Sequence, residues 1–291
     1  FFDKKKGIAI SIDTYNLGYH FIDFKHPDLV IKKILRSSIS DLICKGVLPK
    51  FYFVAGSGNN KTFSKKNLSL ISKSLREEQN KYNISLCGGD TTFSNKLSFT
   101  VTSLGYSKQI IYRNKALIDD DIYVTGNLGD SFMGLQVLKN KIKASKKLKK
   151  YFTQKYYLPD IQIKLTKKLL NFANTSIDIS DGLIDDLGKM INNQNLAFSL
   201  NEKNIPISNN LLKIIKTKAM KKIKLVSNGD DYQILFTASK DKSRIIVQTS
   251  KNLGIKISKI GKICSNKKRS IIIDEKGKEI VLKNKGYVHQ F

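Results

Sequence analysis

A chain of 291 residues accommodates one large domain or two of ordinary size, and its 41% hydrophobic content excludes global disorder. No apolar run approaches the about 18 residues that span a membrane, and the short apolar stretch after Lys4-Lys5-Lys6 is interrupted by Asp13 before it reaches signal-peptide length, so a cytoplasmic protein with no membrane partner is expected. The net charge of +28, from 52 Lys+Arg against 24 Asp+Glu, raises nucleic-acid binding, but the lysines are spread along the whole chain as A·T-rich coding would spread them, so no nucleic-acid partner is expected.

In chain order, Gly7 to Thr14 reads as a short β-rich run. Pro27-Asp28 opens an apolar-periodic stretch (Leu29, Ile31, Ile34, Leu35, Ile39, Leu42, Ile43) that predicts a buried helix closing at Gly46. Phe51 to Val54 reads as a strand, and Ser64 as the cap of a helix bearing Leu68, Ile71 and Leu75. Ile84 to Leu86 reads as a strand running into Gly88-Gly89-Asp90, and Leu97 to Tyr106 as another. A polar stretch near residues 107–120 suits a domain boundary.

Beyond it, Ile122 to Val124 predicts a strand and Ser131 the start of a helix. Ile161 to Leu170 reads as helical, Ser176 to Ile179 as a strand and Gly182 to Met190 as a helix start. Tyr232 to Thr237 and Lys256 to Ile263 read as strands flanking a helix at Arg244 to Leu253. This alternation predicts an α/β or α+β class. Lys139 to Lys155 stands out only as a dense charged stretch. Cys44, Cys87 and Cys264 are odd in number and form no CxxC pair, which predicts a reduced protein without a thiolate zinc site.

Five segments carry the chemistry: Ser11-Ile12-Asp13-Thr14, Ser38-Ile39-Ser40-Asp41, Gly88-Gly89-Asp90-Thr91-Thr92, Asp178-Ile179-Ser180-Asp181-Gly182 and Asn228-Gly229-Asp230-Asp231-Tyr232. Each is expected to place an Asp at the end of a strand or helix. One such segment alone suits a turn or a cap; five in so basic a chain point to Mg²⁺, which takes hard oxygen ligands and is usually shared between a few carboxylates and substrate phosphates. There is no GxxxxGK[ST] and no HRD or DFG triplet, which excludes P-loop and protein-kinase architectures. With only His20, His26 and His289, a Ser-His-Asp triad or a His-rich metal site is not expected. Gly126 to Ser131 is a glycine turn into a helix, readable either as a phosphate site or as a tight structural turn.

Taken in order, these segments resemble thiamine-monophosphate kinases of the aminoimidazole ribonucleotide synthetase-like superfamily. Asp13-Thr14 with Gly18-Tyr19-His20-Phe21 resembles the family pattern D-T-x-x-x-G-x-H-F, and Ser40-Asp41-Leu42 resembles S-D-L. Gly88 to Thr92 matches G-G-D-T-T, and Asp178 to Leu183 matches D-x-S-D-G-L. Arg113 through Tyr123-Val124-Thr125-Gly126 to Ser131 resembles R-x-x-A-x-x-G-D-x-I-Y-V-T-G-x-x-G-D-S. Gly229 to Phe236 resembles G-E-D-Y-E-L-x-F, and Gly286-Tyr287-Val288-His289 the closing G-Y-D-H-F.

The resemblance implies a two-domain fold, with an N-terminal α/β domain at 1–112 bearing dimer-forming strands and a C-terminal α+β domain at 113–291. It implies a homodimer that transfers phosphate in line from ATP to thiamine monophosphate with no covalent nucleophile. It assigns Ser11, Asp13, Asp41, Asp90, Asp178 and Asp181 to Mg²⁺. It assigns Tyr82, Gly89, Asp90, Arg113 and Ser180 to ATP, and His20, Asp230 and Tyr287 to thiamine monophosphate. Outside that context Tyr82 would read as a helix-end core residue, His20 as structural and Tyr287 as a packed terminal aromatic.

The sequence departs from the pattern in places. The family's Gly-Ile-Gly-Asp-Asp segment, which supplies a metal ligand, has no counterpart from Phe1 on, implying either a piece of a longer chain or an impaired site. Ile12 replaces a Thr, Asp230 and Gln233 each replace a Glu, and Leu158-Pro159-Asp160-Ile161 lacks the family's Arg. The rival readings are another ATP-using enzyme of the superfamily, a degenerate nucleotide-binding module and a basic nucleic-acid binder.

Overall fold

The computed structural model describes residues 1–267, 269–281 and 286. The chain divides into two units, Phe1–Ile110 and Ile111–Phe291, each built on one sheet with helices, so the fold is mixed α/β.

The first unit comprises β1 (Phe2–Asp3), β2 (Ile8–Asn16), α1 (Pro27–Cys44), β3 (Pro49–Gly58), α2 (Lys65–Tyr82), β4 (Ser85–Phe93) and β5 (Ser98–Tyr106). The strand order is β1-β2-β5-β3-β4, antiparallel except for the parallel β3–β4 pair. Pro27 sits in the first turn of α1, where its missing N–H leaves no bond unmade. Val30, Ile31, Ile34, Leu35, Ile39, Leu42 and Ile43 are all buried, each such side chain contributing about 1.5–3 kcal/mol relative to exposure. Ser64 caps α2 by accepting from the Asn67 N–H, and Asn83 closes it in the left-handed conformation. A buried ion pair links the two helices: Arg36 Nε and Nη2 donate to the two oxygens of Glu78, each at 2.8 Å.

Strand alternation assigns the sheet's faces. Ala9 and Tyr15 of β2 are buried, and Ser11 reaches the helix α1. Ile12 on β2, Phe51 and Phe53 on β3 and Tyr106 on β5 are exposed, and every residue of β4 is exposed.

The second unit contains β6 (Asp121–Thr125), α3 (Asp130–Leu138), α4 (Lys146–Tyr157), α5 (Thr166–Leu169), β7 (Thr175–Asp178), α6 (Leu183–Ile191), β8 (Leu196–Asn201), α7 (Asn209–Lys218), α8 (Lys222–Val226), β9 (Ile234–Ala238), α9 (Ser243–Leu253), β10 (Ile257–Ser265) and β11 (Ile271–Ile273). Its sheet runs β11-β8-β10-β6-β9-β7. One core joins Ile122, Val124 and Leu235 of the sheet to Leu183, Leu187 and Met190 of α6. A second core gathers Met133, Val137, Phe152, Leu211 and Leu225 under α3, α4 and α7.

Several sequence expectations are corrected. Asp13 and Asp90 lie inside strands rather than at their ends, whereas Asp41 lies in the last turn of α1, as expected. The strand expected at Ile84–Leu86 continues through Gly-Gly-Asp-Thr-Thr because parallel pairing with β3 extends to Gly58↔Phe93. The helix expected at Ile161–Leu170 is a single 3-10 turn, Ile163–Leu165, followed by the four residues of α5. The dense lysine stretch contains α4, capped by Ser145, whose Phe152, Tyr156 and Tyr157 are buried while its lysines line the outer side. β8, α7, α8 and β11 were not legible from the sequence pattern.

Candidate active site

In the first unit, β2 and α1 bring Ser11, Asp13, Ser38 and Asp41 together. Ser11 and Asp13 are two residues apart on one strand and so point to the same face. Ser11 Oγ donates to Asp41 Oδ2 at 2.5 Å. Burial, then the Asp41 carboxylate, raises the Asp13 pKa to about 7, with the Ser38 hydroxyl pulling the other way. That hydroxyl falls short of full hydrogen-bond geometry: Asp13 Oδ2 and Ser38 Oγ are both buried and have no hydrogen-bond partner among the described residues. Two orphaned hard oxygens beside a second carboxylate fit a divalent cation, which would satisfy both and relieve the repulsion.

The Gly88-Gly89-Asp90 segment lies on β4, the edge strand of the sheet, with Gly89 opposite Val54 and Asp90 opposite Ala55. A Cβ on Gly89 would stand 1.9 Å from the Val54 carbonyl oxygen, so close backbone approach requires glycine there. Asp90 is exposed and accepts the Thr91 N–H at 2.8 Å. Tyr82 ends α2 and is buried, with the Arg36 guanidinium 5.6 Å from its ring centroid. His20 Nδ1 accepts the Asn16 N–H at 3.0 Å, and its ring meets Tyr15 edge-on. That bond places the proton of the neutral imidazole on Nε2.

In the second unit, Asp178 ends β7 and the loop that follows carries Ser180 and Asp181. It interlocks with the segment before β9. Ser180 O accepts the Asp230 N–H and Ile179 O accepts the Tyr232 N–H, both at 2.8 Å, while Ile179 N–H donates to Gln233 O at 2.9 Å. The loops meet so closely that a Cβ on Gly229 would lie 1.6 Å from Ser180 O, and one on Gly182 2.3 Å from Ser227 O. Asp230 and Tyr232 both hold positive φ, 69° and 50°, and the Tyr232 hydroxyl donates to Asp230 Oδ1 at 3.1 Å. Two non-glycine residues in the left-handed region within three positions are backbone strain of the kind that clusters at ligand sites.

Arg113 is exposed. Its segment is anchored by Tyr112 O, which accepts from Thr175 at the start of β7, and by the Asn114 N–H donating to Met190 O near the end of α6. Asp178 and Asp181 lie at the opposite ends of those two elements. Tyr287 lies outside the described residues. Its neighbour Gly286 packs on Asp185 and on the Asp181 carbonyl, where an added Cβ would come within 2.4 Å of Asp185 Cβ.

The structure adds residues that the motifs did not single out. Asp186 Oδ2 accepts the N–H groups of Asp181 at 2.9 Å and Gly182 at 3.0 Å, fixing the loop onto the N-terminus of α6. Burial raises the Asp186 pKa to about 7 despite those N–H groups. Asp181, Asp185 and Asp186 can each direct a carboxylate oxygen to within 4.8 Å of the others. The spacing of Asp185, Asp186 and Lys189 on a helix could have signalled a shared face.

The glycine turn at 126–131 has a structural explanation. Gly129 enters α3 at φ 84°, and its N–H donates to the buried Asp231 Oδ2 at 2.7 Å. The N-terminus of α3 is thus met by a carboxyl oxygen of the protein itself. Asp130 is tied by Tyr151 and Ser208 hydroxyls, both at 2.7 Å.

Residues 1–107 match the family described as "AIR synthase related protein, N-terminal domain". The whole chain shares the fold of a solved structure, AaThiL complexed with AMPPCP and TMP, with a TM-score of 0.83 and 23% identity over 97% of this chain and 87% of that one. Fold and acidic motifs together define a protein of the AIR synthase-related class.

Within that class the relatives are specific. The chain is 35% identical to the thiamine-monophosphate kinase of Buchnera aphidicola subsp. Schizaphis graminum, covering 98% of this chain and 88% of that protein. It is 30% identical to that of Escherichia coli (strain K12), covering 98% and 87%. The chain belongs to the thiamine-monophosphate kinase family.

Proposed function

We propose that the protein transfers the γ-phosphoryl group of ATP to thiamine monophosphate, forming thiamine diphosphate and ADP. The observation that carries this reading is the 35% and 30% identity with two thiamine-monophosphate kinases, each over 98% of the chain. The interlocked acidic loops and the orphaned Asp13 oxygen support it, because phosphoryl transfer requires positioning and charge neutralisation more than a covalent nucleophile.

Ser11, Asp13, Asp41 and Asp90 of the first unit and Asp178 and Asp181 of the second are assigned to hold Mg²⁺. When bound, Mg²⁺ supplies the positive charge that offsets charge on the transferring phosphoryl group. Gly89 lets the edge strand's backbone lie close to a phosphate, and Ser180 and Arg113 offer it donors. Tyr82 is assigned to the nucleotide. His20, Asp230 and Tyr287 are assigned to thiamine monophosphate; with Nδ1 of His20 taken by the Asn16 N–H, its Nε2–H has donor character, and the strained Asp230 is an acceptor.

The acceptor phosphate is already anionic, so no side chain has to remove a proton from it. The protein is assigned to the cytoplasm; no helix among the described residues is long and apolar enough to cross a membrane. The exposed apolar face carrying Ile12, Phe51, Phe53 and Tyr106 supports a homodimer formed through the first unit's sheet.

The direct test is ADP release from ATP and Mg²⁺ with and without thiamine monophosphate, with thiamine diphosphate identified as product. Stoichiometric formation of both products is expected. ADP release indifferent to thiamine monophosphate overturns the reading.

A further inference from the structure

The carboxylates at the start of α6 do not stand alone. Lys189, one helical turn after Asp185, turns its ammonium back along the helix. Nζ lies 2.5 Å from Asp181 Oδ2, 2.6 Å from Asp185 Oδ2 and 3.9 Å from Asp186 Oδ1. Burial acts to lower its pKa, but the hydrogen bonds it donates to Asp181 and Asp185 outweigh it and hold the ammonium above the ordinary lysine range.

We propose that Lys189 is a built-in counter-ion of the Asp181–Asp185 pair, which occupies the place of a divalent cation and competes with it for Asp181. The inference rests on the assignment of Asp181 to Mg²⁺ and adds a positioning residue to it. Three carboxylates at one helix end repel one another, and the positive end of the helix dipole relieves only part of that. Asp186 is committed through Oδ2 to the backbone of Asp181 and Gly182, so the free charge belongs to Asp181 and Asp185, the two groups Lys189 grips.

An ammonium at 2.5 Å from Asp181 Oδ2 takes one lone-pair direction of that oxygen and repels, as a like charge, a metal approaching the same carboxylate at the about 2.1 Å that Mg²⁺ requires. The lysine side chain is 38% exposed on a flexible stem, so it swings away without disturbing the core. Lys189 therefore keeps the loop ordered without metal and weakens the metal's hold on it.

The test is titration with Mn²⁺ alone, without nucleotide, followed by loss of the free-ion electron paramagnetic resonance signal. Binding that depends on Asp181 is defined by its loss in Asp181→Asn. Lys189→Gln is expected to tighten that binding by roughly tenfold, the scale of one or two partly exposed ion pairs, while Lys189→Arg, which keeps the charge, leaves it loose. Circular dichroism melting confirms that the variants are folded. Equal or weaker Asp181-dependent binding in Lys189→Gln overturns the proposal and leaves the metal assignment standing. Binding in Asp181→Asn equal to that of the unaltered protein overturns the metal assignment and the proposal with it.

Discussion

The hydroxyl of Ser11 donates to Asp41 Oδ2 at 2.5 Å, bonding the middle of β2 to the last turns of α1. It fixes one oxygen of Asp41 near Asp13, whose Oδ2 is buried with no hydrogen-bond partner among the described residues. Such an arrangement costs stability in a protein without metal and gains meaning only if a cation joins it. Asp41→Asn and Asp181→Asn are each expected to lower turnover on the order of 100-fold or more with an unchanged circular dichroism spectrum. Near-normal turnover in both would remove the metal assignment.

The same geometry predicts opposite effects on activity and stability at Asp13. Replacing it with Asn keeps the shape and removes the repulsion from Asp41. In metal-free protein Asp13→Asn is expected to melt at a higher temperature than the unaltered chain while losing turnover. A lower melting temperature would mean that Asp13 is structural rather than poised for a ligand.

Asp231 sets a pH dependence. Burial holds its pKa well above 3.8, outweighing the N–H groups of Gly129 and Ser131. The native state therefore binds the proton more tightly than the unfolded chain. The stabilisation is full below 3.8 and is lost as pH rises toward the raised native value. Asp231→Asn keeps an oxygen acceptor for Gly129 and cannot ionise. Urea midpoints at about pH 5 and about pH 8 are expected to differ less in this variant than in the unaltered chain; an equal decline in both would contradict the assignment.

The Arg36–Glu78 pair is buried on both sides and bonded at 2.8 Å. Glu78→Leu leaves a guanidinium buried without its carboxylate and is expected to destabilise the protein by about 3–5 kcal/mol. Arg36→Met with Glu78→Leu should recover most of that loss. Chemical denaturation of the two singles and the double measures the coupling, and simple additivity would refute it.

Gly229 marks where the two loops of the second unit cross, with Ser180 O only 1.6 Å from the position of an added Cβ. Gly229→Ala must push the Asp178–Asp181 loop away. A loss of about 1–3 kcal/mol is expected, together with a fall in turnover that exceeds any fall in ATP affinity. Unaltered stability and kinetics would show that the crossing is not needed.

Much of this protein is determined by its sequence alone. The periodicity from Leu29 to Ile43, the cap at Ser64 and the alternation from Leu97 to Tyr106 produced the elements they predict, because a helix stripe and a strand face are local consequences of side-chain spacing. Where neighbours decide, local pattern was not enough. Gly88-Gly89-Asp90 reads as the end of the strand that starts at Ile84, yet pairing with β3 carries that strand on to Phe93. Lys146 to Tyr157 reads as charge, yet its three buried aromatics make it a core helix. The acidic motifs named the residues, but their partners come from elsewhere in the chain: Asp41 brought to Ser11 and Asp13, Ser180 to Gly229, Asp231 to Gly129. Even Lys189, only eight positions from Asp181, acquires its role because the helix folds it back onto the loop. Residue type and spacing set the chemistry available; long-range packing, which no local window of sequence contains, decided which oxygens are satisfied and which are left for a ligand.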